Sequence, residues 1–412
     1  MTDTLGANAL ASNSITSAKI ADDAITSAKV ADDAITSAKV AVGAVTVADI
    51  ADGSITSSKL SGEVAIGRRN IIHNGAMKVA QRGTVTGHTT GGVSCDRYRL
   101  VISGGAQVTT SQDTDVPAAT NGFKNSLKID CTTADTSVAA GDYAILYQRI
   151  EGQDLQHLLY GTSSAKQITV QFWVKSAKTG IHIVELFHLD ATYFNAQQYT
   201  VSAANTWEKK TVTFVGYQTT AFDNDANGSL QIAWWLLGGA TYGGGTHNSN
   251  TWHNTQANRA VGQVNVLDDT ANNFYLTGVQ VEVADAATDF EHRSFVEELA
   301  TCQRYFIRVA AATNYSKFGV GRAWNAANTA HVVYLPVPMR GTPVFSHSTA
   351  SNFGVAGVGN NITSFGLAER DTNNQMMTLN CVYATNSMST GTIYQVEANG
   401  NTNCSMDFSA DI

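Results

Sequence analysis

Charge is scarce in this sequence. Lys, Arg, Asp and Glu make up 15% of its 412 residues, against roughly 25% in an ordinary globular chain. Its polar surface therefore has to be built from Ser, Thr, Asn, Gln and Gly. A net charge of -8 comes with no long basic run, which argues against a nucleic-acid partner, because neutralising phosphates takes clustered Lys and Arg. No run of 18 apolar residues exists, so membrane insertion is not expected. Cysteine is sparse: Cys95, Cys131, Cys302, Cys381 and Cys404 are scattered, odd in number and never form CxxC. They read as buried, reduced packing residues rather than a disulfide frame or zinc site. GxSxG, HExxH and a phosphate loop are missing. The opening "MTDTLGANALASNS" has neither a basic n-region nor an apolar h-region. The chain is thus expected to be made in the cytoplasm and to leave it by a route other than Sec export.

What is present begins with a repeat. "ADDAITSAKVADDAITSAKV" (residues 21–40) is one decad written twice, and five decads align between Ala11 and Leu60. Large aliphatics fall every fifth residue: Ile15, Ile20, Ile25, Val30, Ile35, Val40, Val45, Ile50, Ile55 and Leu60. A five-residue step shares no face on an α-helix and switches faces on a strand. A helical reading that counts Ala needs about 3.3 residues per turn and strong overwinding. Stacked units of a turn plus a short extended segment fit better. One copy has nothing to bury these side chains against, whereas chains meeting around an axis can bury them all. A homotrimeric stalk over 11–64 is expected, after a short attachment segment at 1–10. A disordered linker is the bland alternative, and regular Ile and Val are poor linker material.

From about Asn70 the pattern changes to alternating polarity. Residues 167–177, 181–189, 209–217 and 230–238 read as strands, broken by turn compositions at KTG, NAQQ, AANTW and DNDANGS. With 35 Gly, 14 Tyr and 15 Phe, this predicts a large sandwich or jelly roll.

Here a family resemblance enters. "NIIHNGAMKVAQRG" (Asn70–Gly83) followed by "SCDRYRL", and "FYLTGVQVEVADAATDFEHRSFVEELATCQRYF" (Phe274–Phe306), resemble segments of bacteriophage tail-fibre and related virion proteins. "YLPVPMRGTPVF" (Tyr334–Phe345) and the final "FSADI" are similar to the C-terminal β-domain that follows there, although that terminal pair is usually closer to Glu-Leu than to Asp411-Ile412. The resemblance implies a jelly roll similar to carbohydrate-binding modules (65–292), then a C-terminal β-sandwich tip (293–412). It also implies a virion fibre, assembled in the host cytoplasm, with itself, other virion proteins through its N-terminus, and a host surface glycan as partners. A head fibre, or a structural segment of a composite fibre without its own receptor binding, is the alternative.

No catalytic residue, cofactor or metal is expected. Glycosidases need two carboxyls about 5–10 Å apart in a cleft, and no such constellation is legible. "DNDANG" (Asp223–Gly228) lacks most ligands of a calcium loop and reads as a polar turn. Of adjacent Trp234 and Trp235, which face opposite ways on a strand, one could be exposed. The polar loop Thr241–Gly262 holds the glycan candidates: Trp252 and Tyr242 for stacking, Asn254 and Arg259 as polar partners, with Trp252 as a core plug the bland alternative. Trp324 in the tip domain is a further candidate.

Overall fold

The computed structural model describes residues 20–21, 24–26, 29–31, 34–36, 39–41, 44–46, 49–50, 68–358, 362–367, 373–383 and 388–412. The chain divides into two compact units, Met1–Leu60 and Ser61–Ile412.

In the first unit an i→i+3 turn closes every five residues. Ala24 N–H donates to Ala21 O (3.0 Å), Lys29 to Thr26 (2.9 Å), Ala34 to Ala31 (3.1 Å) and Lys39 to Thr36 (2.9 Å). Ala44 to Ala41 and Asp49 to Thr46 continue the series. Side chains brace the turns: Lys29 and Lys39 Nζ donate to Ala24 O and Ala34 O, and the Asp49 carboxylate accepts from Thr46 N–H and Oγ1. The backbone thus repeats at the period of the aliphatics, and Ile25, Val30, Ile35, Val40, Val45 and Ile50 each follow a turn. Ile20, Ile25, Ile35, Val40, Val45 and Ile50 are 41–64% exposed and Val30 is half-buried. Ile15, Ile55 and Leu60 lie outside the described residues.

The second unit begins with a two-sheet sandwich. Its strands are β1 (Val85–His88), β2 (Thr90–Gly92), β3 (Arg99–Ser103), β4 (Gln107–Asp113), β5 (Ser126–Thr133) and β6 (Tyr143–Glu151). They continue through β7 (Ile168–Ser176), β8 (Gly180–His188), β9 (Tyr193–Val201), β10 (Glu208–Phe214), β11 (Gly228–Gly238) and β12 (Asn273–Glu282). A one-turn helix α1 (Ala240–Gly243) follows β11. The first sheet runs β1-β4-β5-β12-β7-β10, the second β2-β3-β6-β11-β8-β9. All pairings are antiparallel, and strands far apart in sequence are neighbours (β5 with β12, β6 with β11), the long-range return of a jelly roll. Alternate residues fill the space between: Phe172 of β7 meets Trp234 of β11 edge-on, ring centroids 5.6 Å apart, among buried Val170, Val174, Leu186, Ile232 and Leu276.

The four strands expected from alternation are β7, β8, β10 and β11. NAQQ is not a turn: Asn195–Gln198 lie inside β9. Their amides find partners both within the strand and in a later segment of the chain. Gln197 Nε2 donates to Asn195 Oδ1 (2.7 Å), and Gln198 Nε2 to Val261 O (3.0 Å).

Asn70–Gly83 forms no strand; it packs along β12. Ile71 N–H donates to Val281 O (2.8 Å) and Val279 N–H to Gly75 O (2.9 Å). A Cβ on Gly75 would lie 2.1 Å from Val279 O, so the approach requires glycine. Asn74, buried and at φ 55°, donates from Nδ2 to Val79 O and Asp96 O.

After β12, helix α2 (Phe295–Gln303) is capped by Ser294, whose Oγ accepts from Glu297 N–H. It leads into β13 (Phe306–Ala310), β14 (Lys317–Ala323), β15 (Asn328–Tyr334), β16 (Val344–His347) and β17 (Phe353–Val355). β18 (Ile362–Leu367), β19 (Met376–Tyr383), β20 (Ile393–Ala398) and β21 (Ser405–Ser409) complete the order. These make a three-stranded sheet (β13-β21-β16) and a six-stranded sheet (β17-β20-β14-β15-β19-β18) around a separate core containing Phe353, Met377, Leu379 and Phe408. The junction is polar: Arg304 makes a two-pronged ion pair with buried Glu151 (2.7 and 2.6 Å), Tyr305 OH donates to the same carboxylate, and Arg97 lies 3.3 Å over the Tyr305 ring. All five cysteines are buried and unpaired. No helix among the described residues is long and apolar enough to cross a membrane.

Candidate functional site

The outward face of the second sheet carries the groove of interest. Register sets it: Trp235 pairs with Ile145, Ala233 with Tyr147 and Gln231 with Arg149. On the other side Ala233 pairs with Glu185 and Gln231 with Phe187. While Trp234 and Leu146 enter the main core, Tyr143, Ile145, Tyr147 and Trp235 gather in a second, smaller cluster on this face.

The chain 239–263 folds across that face. Ala260 N–H donates to Tyr242 O (2.8 Å), and His253 exchanges two backbone bonds with Phe194 of edge strand β9 (2.9 and 2.7 Å). Trp235 is thereby only 1% exposed, and Trp234 is fully buried, so neither is a surface tryptophan. Arg259 anchors the crossing: its Nε and Nη2 donate to the two oxygens of Glu185, both at 2.8 Å. Glu185 is fully buried, Arg259 nearly so, and the guanidinium also lies 3.9 Å over the Phe194 ring.

What remains open is a groove of about 390 Å³ whose lining includes Tyr143, Tyr147, Arg149, Gln231, Trp235 and Tyr242, with Phe187 and Arg259 beside them. Tyr242 packs against Tyr143 (5.1 Å) and Trp235 (5.5 Å); burial, then the neighbouring Tyr143, push its phenol pKa up. Arg149 Nε donates to Gln231 Oε1 (2.9 Å), and Arg99 Nε to Tyr147 OH (3.3 Å). Trp235 Nε1 has no partner. The lining combines aromatic surface, an amide and guanidinium donors, and contains no carboxylate.

Of the sequence candidates, Tyr242 and Arg259 meet in this groove. Trp252 does not line it. Half-buried, its indole N–H donates to Val215 O (2.8 Å), and its rings sit against Tyr160 and Tyr217, closing one end of the main core. Asn254 is exposed outside the lining, and Trp324, 59% exposed, follows β14 in the C-terminal domain. Tyr143, Tyr147, Arg149 and Gln231 were not singled out from sequence. Their signal is the period-two spacing Tyr143-Ile145-Tyr147-Arg149 in β6, which names a face but not what covers it. Asp223–Gly228 is a polar turn: Asp225 accepts from Asn227 N–H (2.8 Å) and Nδ2 (2.6 Å).

No protein-family model and no curated protein matches the chain. Among solved structures it is similar to the enzymatically active domain of bacteriophage CBA120 tailspike protein 4. That likeness has 14% identity and a TM-score of 0.29, and covers 52% of this chain and 21% of that one. A second is a family 11 carbohydrate-binding module from a Clostridium thermocellum cellulosomal cellulase (13%, TM-score 0.25, 52% and 98%). A third is a structure described as that of TmCBM61 with β-1,4-galactotriose (7%, TM-score 0.26, 52% and 98%). The chain thus spans about a fifth of the tailspike domain.

Proposed function

We propose that this chain is a fibre protein of a bacteriophage particle, trimeric through its decad repeat, that attaches to a glycan on the host surface. The observation that carries the binding reading is the sheet-face groove: Tyr143, Tyr147 and Tyr242 offer ring surface beside Arg149 and Gln231, in a lining without a carboxylate. Sugar rings present an apolar C–H face and a rim of hydroxyls, which matches stacking aromatics flanked by amide and guanidinium donors. A glycosidase would need a pair of carboxyls at the scissile bond, so the reading is binding without hydrolysis. The exposed aliphatics Ile20, Ile25, Ile35, Val40, Val45 and Ile50, spaced in multiples of five, support self-association, and several copies would raise a modest single-site affinity by avidity.

The test is binding of the full chain to a panel of purified bacterial surface polysaccharides, compared with Tyr143→Ala and Arg149→Ala. The reading expects binding that each variant weakens about tenfold or more, ~1.4 kcal/mol, with unchanged melting and no released reducing ends. Equal binding by all three proteins removes the groove from the account.

A further inference from the structure

We infer that the sandwich carries a second saccharide site, on the outward face of the opposite sheet. Gln171 and Trp173, two apart on β7, face away from the core that holds Phe172 and Val174. Lys209 of β10 sits directly across from Trp173. On the other side β12 is bulged: its register with β7 shifts between Thr277 and Gln280. Gly278 in that bulge has φ 61°, and a Cβ there would lie 2.7 Å from Phe123 Cζ and 2.9 Å from Trp173 Cδ1. Bulges of this kind re-aim side chains beside functional sites. Here the bulge lets Phe123 and Trp173 close on one recess.

The remaining wall comes from the "DFEH" segment, whose residues divide by alternation. Glu291 turns inward, its Oε2 accepting from Arg69 and Asn70 N–H (2.6 and 2.7 Å). Phe290 and His292 instead line the recess, edge-on to each other at 4.8 Å, with Phe123 5.0 Å from Phe290. The recess is about 270 Å³, just under the ~300–1,000 Å³ of drug-sized sites, and suits a ring or two rather than a long chain.

A second observation points to a ligand. Gln171, 1% exposed, forms part of this wall; its Nε2 donates to Thr288 O (2.7 Å), but its Oε1 meets no donor. Leaving a buried acceptor unmade costs about 1–3 kcal/mol, a cost that a hydroxyl or amide N–H from a bound ring would relieve once a small turn of the Gln171 amide brings Oε1 to the recess. Trp173 and Phe290 supply the apolar faces, and Lys209 and Asp289 supply a donor and an acceptor at the rim. That is the chemistry of a neutral sugar ring, and with one such site on each sheet a single sandwich can engage two glycan chains. The site does not depend on the groove of the second sheet.

The experiment is calorimetric titration of the full chain with cellohexaose, xylohexaose, maltohexaose and chitohexaose. The same titrations use Trp173→Ala, Asp289→Ala and, as control for the other face, Tyr143→Ala. Asp289 is exposed, so its variant keeps the test valid should Trp173→Ala fail to fold. The expected result is binding that Trp173→Ala and Asp289→Ala each weaken about tenfold or more, while the component they remove persists in Tyr143→Ala. Binding lost only in Tyr143→Ala overturns the second site and leaves the first. Binding unaffected by all three variants, or none of the four sugars bound, overturns both.

Discussion

Arg259 holds Glu185 by two parallel hydrogen bonds of 2.8 Å beneath the loop that roofs the second sheet. Neither group has water to fall back on, so the pair fastens residues 239–263 to β8 and thereby shapes the groove. Removing one partner strands the other charge. Arg259→Ala is expected to cost ~3–5 kcal/mol, read as a lower urea midpoint. Loss of the roof should also make Trp235 accessible to a fluorescence quencher. An unchanged midpoint would show that the roof is held by something else.

Two glycine substitutions separate crowding from backbone strain. A Cβ on Gly75 meets the Val279 carbonyl at 2.1 Å, whereas one on Gly83, at φ 66°, meets nothing within 4 Å. Gly83→Ala should cost only the left-handed penalty of about 1–2 kcal/mol. Gly75→Ala must push the chain off β12 and should cost several-fold more by thermal melting. Equal losses would contradict the packing of this segment.

Much of this was legible in the sequence, and the limits have physical causes. Strands β7 and β10 announce themselves because alternate residues enter the core, which imprints alternation, whereas β11, buried on both faces, shows as a continuous apolar run. β9 hides, because the polar Asn195 and Gln197 are buried on it, Asn195 donating to the distant Asn250 Oδ1 (3.3 Å) and Gln197 to Asn195 Oδ1 (2.7 Å) along the strand. Trp235 and Arg259 lie 24 residues apart, and only tertiary structure sets the Arg259 Cζ 5.2 Å from the centre of the Trp235 ring. The five-residue period was legible; the turn that closes in each period was visible only as a preference.

Acid sensitivity follows from buried histidines. Burial lowers His182 and His331 to about 4. The folded pKa lies below the unfolded value of about 6.5, so between these limits the unfolded chain binds more protons. Stability is therefore retained at pH 7 and lost as pH falls through 6.5 towards 4, by at most about 3 kcal/mol per histidine. Asp96 works in the opposite sense: burial raises it to about 6, so it regains stability as pH falls below 6. Between pH 4 and 6 Asp96 thus offsets about one of the two protons that His182 and His331 contribute to the slope. Replacing His331 by Asn should flatten the profile of chemical denaturation; an unaltered profile would remove His331 from the account.

The polar junction is expected to make the sandwich and the C-terminal domain unfold as one cooperative unit. Arg304 and Tyr305 converge on buried Glu151, and Asp411 ion-pairs with Arg82 and Arg99 (2.5 and 3.5 Å). Glu151→Ala should split a single calorimetric transition of residues 61–412 into two. A single transition, merely shifted, would show that apolar contacts alone couple the domains.

The most direct test of the fibre account is the solution mass of the full chain by light scattering. Three times 43.7 kDa is predicted, falling to one when Ile25, Ile35 and Val45, the most exposed of the described repeat aliphatics, are all changed to Asp. A monodisperse monomer for the unaltered chain would contradict the stalk, leaving the groove as the site of a single-chain glycan-binding protein.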